Sequence, residues 1–182
     1  MNIIPTKIEG VFILETNVFQ DDRGIFVKTF NKEAFAEHNL SVDFTESFYS
    51  ISNKNVIRGM HIQVPPKDHS KLVYVTSGKV IDVVLDIRVG SPTYGQFIST
   101  ELSADNRRSI YMPPGCVHGF VSLEDNTCTV YLQTATYDKT CDTGIKFDSF
   151  GMDWSIENPI ISTRDLNFET LENFQSPFIF RG

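Results

Sequence analysis

Residues 56–80, VIRGMHIQVPPKDHSKLVYVTSGKV, set one histidine, His61, between two cations, Arg58 and Lys71. A base flanked by fixed cations suits removal of a proton next to a carbonyl, because the cations hold the oxyanion that forms. That chemistry requires all three side chains in one cavity. VIRG and KLVYV read as strands on either side of a Pro-rich polar loop, VPPKDHS, and two strands of one barrel would aim them together. In the plainer alternative they are a core histidine and two surface cations. A histidine base is usually oriented by a carboxylate on its other nitrogen. Asp82, Asp86 and Asp165 are all candidates for that role, and the residues alone do not rank them. A tyrosine is the natural opposing acid.

Two other chemistries fit less well. A metal in a small barrel calls for a His-x-His pair, and here the residues are His61-Ile62-Gln63, while His118 has no second ligand at suitable spacing. We therefore expect no metal. Cys116 follows Pro-Pro-Gly with no helix N-terminus or base beside it, which reads as a packed thiol and not a nucleophile.

The elements that must position these groups are strands. From Phe44 to Val121 turn signals recur about every ten residues, at NKN, PPKDHS, SGK, RVGSPTYG, SADN and PPG, with no helical pattern between them. That spacing predicts an antiparallel barrel or sandwich. In VIDVVLDIR, Asp82 and Asp86 share one face and Val83 and Leu85 the other. YMPPGCVHGF places His118 at the start of a strand, facing a barrel mouth, and Tyr131 follows in CTVYLQTAT. Before the barrel, GVFILET and IFVKTF read as short strands about a QDDRG turn. Arg23 in that turn either reaches across a dimer interface or is solvated. Residues 32–39 predict a two-turn helix closed by Asn39, with His38 at its surface end. Beyond Tyr137 the pattern weakens into loops, and LNFETLENF reads as a short helix or coil packed on the barrel. No linker or repeat interrupts the chain, so residues 1–182 read as one domain.

Charge narrows the partners. With 16 basic and 23 acidic residues the net charge is −7, which disfavours nucleic acid and anionic membranes as partners. A phosphorylated substrate would need local cations, which Arg23, Arg58 and Lys71 could supply. There is no apolar run of membrane-spanning length, and the N-terminus lacks the order of a signal peptide. Three cysteines, Cys116, Cys128 and Cys141, without CxxC spacing suggest free thiols and a cytoplasmic protein.

Several segments in register resemble one family: FQDDRGIF, VIRGMHIQ, SKLVYVTSGKVIDVVLDIRVGSPTYGQF, LSADNRRSIYMPPGCVHGF and ISTRD. Together they are similar to the dTDP-4-dehydrorhamnose 3,5-epimerases, from about Gly10 to Asp165. The resemblance implies an all-β, cupin-type (jelly-roll) antiparallel barrel with short peripheral helices. It also implies a homodimer with an exchanged N-terminal strand, and metal-free, cofactor-free epimerisation of a nucleotide-linked 4-keto-6-deoxyhexose at C3, C5 or both. Carried over by position, His61 is the general base, Asp165 its orienting carboxylate, Tyr131 the acid, and Lys71 the cation on the 4-oxygen. Arg58, Gln63 and His118 join the substrate-binding set, and Arg23 and Phe26 belong to the strand that reaches the nucleotide.

The chain also departs from the family pattern. Lys28 stands at the end of the RGxFxE motif, Glu46 and Phe48 replace two amides before the RGLH strand, and Leu132 follows the tyrosine where a lysine is usual. We expect Lys28, Glu46 and Phe48 around the base, where a carboxylate and an ammonium would suit cytosine better than thymine. A CDP- or GDP-linked substrate is thus one alternative. A 3,4-ketoisomerase on the same barrel is another, and a sugar-binding cupin without catalysis is the non-enzymatic one.

Overall fold

The strand-and-turn pattern builds two antiparallel sheets in the computed structural model, which describes residues 1–181. The chain opens with β1 (Asn2–Pro5) and β2 (Phe12–Glu15), then a hairpin of β3 (Val18–Asp21) and β4 (Gly24–Val27). A short helix, α1 (Lys32–Ala36), leads to β5 (Glu46–Ser52), β6 (Ile57–Gln63), β7 (Lys71–Ser77) and β8 (Lys79–Asp86). Then come β9 (Phe97–Ser103), β10 (Arg108–Met112), β11 (Cys116–Ser122), β12 (Thr127–Gln133), β13 (Asp142–Gly144) and α2 (Thr163–Leu166). One sheet runs β1-β2-β10-β7-β12-β5 and the other β13-β6-β11-β8-β9. This is the all-β, cupin-type barrel with short peripheral helices that the family resemblance implies.

Alternation explains the layers. Val73, Val75 and Ile110 of one sheet meet Val80, Val84 and Phe120 of the other in a shared core. Strand β11 is buried along its whole length, so its outer face must also be covered. The irregular C-terminal third does this. Ile145, Phe147, Trp154 and Phe178 pack on Met60, Val83, Leu85 and Val117, and the Trp154 indole donates to the Phe147 carbonyl at 2.9 Å. Burying each such side chain contributes about 1.5–3 kcal/mol.

The helices differ in detail from the expectation. In α1 the Asn31 side chain accepts from the Ala34 N–H, Phe35 is buried, and regular helix stops at Ala36. A turn then carries the chain to Asn39, whose φ of 56° ends it. LNFETLENF contributes no second helix. Glu169 bridges Ile145 in extended form and accepts from the Lys146 N–H at 2.8 Å, so the segment follows the sheet while Leu171 and Phe174 pack inward. The helix, over Thr163–Leu166, ends on the first residue of that segment, and Ser162 accepts from the Asp165 N–H at its start.

Two features position the site. Strands β6 and β11 nearly touch at Gly59 and Gly119: a Cβ on Gly59, at φ +135°, would lie 2.5 Å from the Gly119 Cα. This contact sets His61 opposite His118 in register, with Arg58 across from Phe120. The β3–β4 hairpin, by contrast, pairs only with itself and exposes Val18, Phe19, Ile25 and Phe26, the last at 60%. An isolated two-stranded apolar ribbon is marginal in water.

Candidate active site

Between the sheets opens a cavity of about 470 Å³. Strand β6 brings Arg58 and His61 to it, β7 brings Lys71, β11 brings His118, and β12 brings Tyr131. Helix α2 adds a carboxylate. Asp165 Oδ1 lies 2.9 Å from His61 Nε2, and Oδ2 accepts from the Gly59 N–H at 3.2 Å. Of the three candidate carboxylates, Asp165 is thus the one paired with His61. Asp82 is fully buried against His118, Oδ2 to Nε2 at 2.7 Å. Asp86 is held by Arg88, Ser91 and Thr93.

The electrostatics suit a neutral base. Burial pulls the His61 pKa down, as do the charges of Lys71 and Arg164, against the opposing pull of Asp165. Burial pushes the Asp165 carboxyl up, but the His61 hydrogen bond and charge, the Gly59 N–H and Arg164 outweigh it and hold it at about 2. Burial lowers Lys71 to about 8, resisted by the charges of Asp142 and Asp82. Both of those carboxylates are bonded elsewhere, Asp142 to Arg164 at 2.5 Å and Asp82 to His118. The Lys71 ammonium therefore retains its capacity for an incoming oxyanion. Burial raises Tyr131 well above the usual phenol range, so it stays protonated, with Ser50 Oγ 3.4 Å from its hydroxyl. The Cys116 thiol, pushed up to about 12 by burial, is a packed side chain.

Other expected site residues are placed differently. Gln63 lines the cavity, but its amide is committed to the surrounding loops. Oε1 accepts from the Asp138 N–H at 2.6 Å, and Nε2 donates to the Lys67 and Thr136 carbonyls. It holds loops more than it offers itself to a ligand. Glu46 and Phe48 line the same cavity as His61 and Tyr131, where an outlying base site was expected for them. The Glu46 carboxylate accepts from the Tyr137 N–H at 2.8 Å, and Phe48 stacks on Tyr131. Arg23, Phe26 and Lys28 are not brought to this cavity by their own chain. They sit on or beside the protruding hairpin, with Arg23 paired to Asp21 at 2.6 Å. Lys28 is therefore not grouped with Glu46 and Phe48 within one chain.

Arg164, Asp142, Tyr137 and His69 also line the cavity, and the residue pattern does not single them out. Arg164 is the one with a usable signal, since it adjoins Asp165 in the capped ISTRD turn. His69, lowered to about 4 by burial and the charge of Lys71, is neutral there.

A neutral histidine held by a carboxylate, a protonated tyrosine from the opposite sheet and a free ammonium define a cupin-type barrel equipped for proton transfer at carbon next to a carbonyl. The model of one such family, dTDP-4-dehydrorhamnose 3,5-epimerase, matches residues 5–173. The chain belongs to this family of isomerases. It is 41% identical over 177 residues to the dTDP-4-dehydrorhamnose 3,5-epimerase of Escherichia coli K12, covering 94% of this chain and 95% of that one. A dTDP-4-dehydrorhamnose 3-epimerase of Streptomyces niveus is 34% identical over 168 residues, covering 91% of this chain and 81% of that one. Among solved structures, the dTDP-6-deoxy-D-glucose-3,5-epimerase of Legionella pneumophila, in complex with dTDP-4-keto-L-rhamnose, superposes with a TM-score of 0.94 at 31% identity. That match covers 100% of this chain and 99% of that one.

Proposed function

We propose that the chain epimerises a dTDP-linked 4-keto-6-deoxyhexose at C3 and C5, as one domain working in the cytoplasm on deoxysugar biosynthesis. The observation that carries this reading is His61 on one sheet, backed by Asp165 of α2, facing a cavity that Tyr131 and Lys71 of the other sheet also line. The C4 ketone acidifies the hydrogens on C3 and C5. His61 removes one of them, the C–H electron pair moves into the enolate, and Lys71 holds the oxygen that gains charge. Tyr131 then donates its proton to the opposite face, and solvent returns His61 and Tyr131 to their starting states. When Nε2 carries the proton toward Asp165, Nδ1 is the nitrogen available as base.

Thymine is the base we assign. The expected preference for cytosine places Glu46 at an outlying base site, whereas Glu46 lines the cavity of His61 and Tyr131 and its Oε2 accepts from the Tyr137 N–H. We further assign a homodimer in which the β3–β4 hairpin crosses to the partner and brings Arg23, Phe26 and Lys28 to the nucleotide. The uncovered apolar faces of that hairpin, and of Tyr49 and Ile51 on edge strand β5, support it.

The test is turnover of dTDP-linked 4-keto-6-deoxyglucose, with the product configuration read by NMR. Inversion at both centres is expected. Inversion at C3 alone would make it a monoepimerase, a keto group moved to C3 would make it a ketoisomerase, and binding without turnover would leave a sugar-binding cupin.

A further inference from the structure

One ring nitrogen of His61 has two neighbours that cannot both bond to it. Nε2 lies 2.9 Å from Asp165 Oδ1 and 2.7 Å from Arg164 Nη2. A guanidinium only donates and an ionised carboxylate only accepts. If Nε2 carries a proton it bonds to Asp165 and meets Arg164 donor to donor. If Nε2 is bare it accepts from Arg164 and faces Asp165 lone pair to lone pair.

Asp165 cannot withdraw. Its side chain is 4% exposed, Oδ2 is fixed by the Gly59 N–H, and Oδ1 also takes the Arg164 Nε–H at 3.1 Å. Arg164 can withdraw. Its side chain is 51% exposed, and it rests on Asp142 of β13, a mostly buried residue of the cavity wall, and on the Phe168 ring, 5.4 Å from the guanidinium carbon. The same Phe168 ring packs edge-on against His61. Lys71 and His118 complete the charged and titratable groups around the imidazole.

We propose that Arg164 is a positioning residue that decides which nitrogen of His61 holds the proton, and that a diphosphate entering the cavity reverses its setting. With the guanidinium on Nε2, the neutral ring is held as its Nδ1–H tautomer, and Nδ1 has no lone pair to accept a substrate proton. With the guanidinium drawn away, Nε2–H bonds to Asp165 and Nδ1 becomes the base. The diphosphate can do this because, as a multiply charged anion, it competes with Asp142 and Asp165 for a guanidinium that is half exposed. The base is thus armed only when the anionic end of the substrate is seated. This step rests on reading the substrate as a sugar nucleotide, which supplies the diphosphate.

The experiment is long-range proton–nitrogen correlation NMR on the full-length, nitrogen-15-labelled protein at about pH 8, where the ring is neutral. The chain has four histidines, so the His61 signals are those missing in His61→Asn. The free protein should show the Nδ1–H tautomer, and saturating inorganic pyrophosphate should convert it to Nε2–H. Arg164→Gln should show Nε2–H with or without pyrophosphate, a change that a merely structural arginine would not produce. A free protein already in the Nε2–H form, or one unmoved by saturating pyrophosphate, overturns the proposal even if the variant fails to fold. An Arg164→Gln spectrum matching the wild type also overturns it. Failure to epimerise the dTDP sugar, with the tautomer switch intact, would overturn the substrate assignment and leave the switch standing.

Discussion

Phe48 lies flat on Tyr131, with ring centroids 4.7 Å apart and planes 17° from parallel. The two residues are direct partners across β5 and β12, so the stack follows from register. His118 closes another side edge-on at 6.0 Å. The phenol is fixed by its neighbours, and only its hydroxyl remains to act. Tyr131→Phe should therefore keep the ring in place and remove one function. Proton removal by His61 continues while inversion stalls, so C–H exchange with solvent outruns product formation. Equal loss of both would assign Tyr131 another role.

The pH profile of kcat/KM should be a bell with unequal limbs. His61 must be neutral to act and its pKa is lowered, so activity falls only below the ordinary histidine value of about 6.5. Lys71 must be protonated to hold the enolate, so activity falls as pH rises through about 8. Lys71→Arg keeps the charge at any accessible pH and should abolish the alkaline limb, whatever it costs in rate. If that limb stays near 8 in the variant, another group is responsible for it.

The contact between β6 and β11 should tolerate no side chain. In Gly119→Ala the new Cβ would sit 2.7 Å from Met60 Sδ and 2.9 Å from the Arg58 carbonyl oxygen. Overpacking of this kind typically costs about 1–3 kcal/mol. Because the displaced strand carries both Arg58 and His61, turnover should fall further than stability does. Denaturant melts and turnover measured together check this, and wild-type values for both would show the strands can part freely.

Much of this is legible in the sequence, for identifiable reasons. Strand alternation and regular turns report burial directly, so the barrel follows from the pattern of residue types, whereas that pattern leaves open whether His61 and Lys71 share a cavity, as they do here. Asp165 cannot be ranked by spacing alone, because its contact with His61 joins α2 to β6, elements far apart along the chain. The family resemblance singles it out. Gln63 and Glu46 show a different gap. Both reach the cavity, yet backbone groups of the loop around residues 136–138 bond to both polar atoms of Gln63 and to one carboxylate oxygen of Glu46, and a pattern of residue types does not record where loop amides point. Arg164 escapes notice because a cation beside a carboxylate on a short turn looks like an ordinary surface pair.

The hairpin prediction concerns assembly. Phe26→Asp places a charge on the exposed apolar ribbon without touching the barrel core. Sedimentation should show a shift from dimer to monomer, and KM for the sugar nucleotide should rise. An unchanged assembly with an unchanged KM would remove the hairpin from both the interface and the nucleotide site.

The central claim, that His61 held by Asp165 is the base, is tested most directly by deuterium incorporation. In D2O the wild-type enzyme should place deuterium at C3 and C5 of the dTDP-linked 4-keto sugar. His61→Asn should bind the same sugar nucleotide while exchange at both carbons falls by about 10²–10⁴-fold, the usual contribution of a general base. Asp165→Asn should fall less, through loss of the Nε2 partner alone. Exchange in His61→Asn at a rate near wild type would contradict the account.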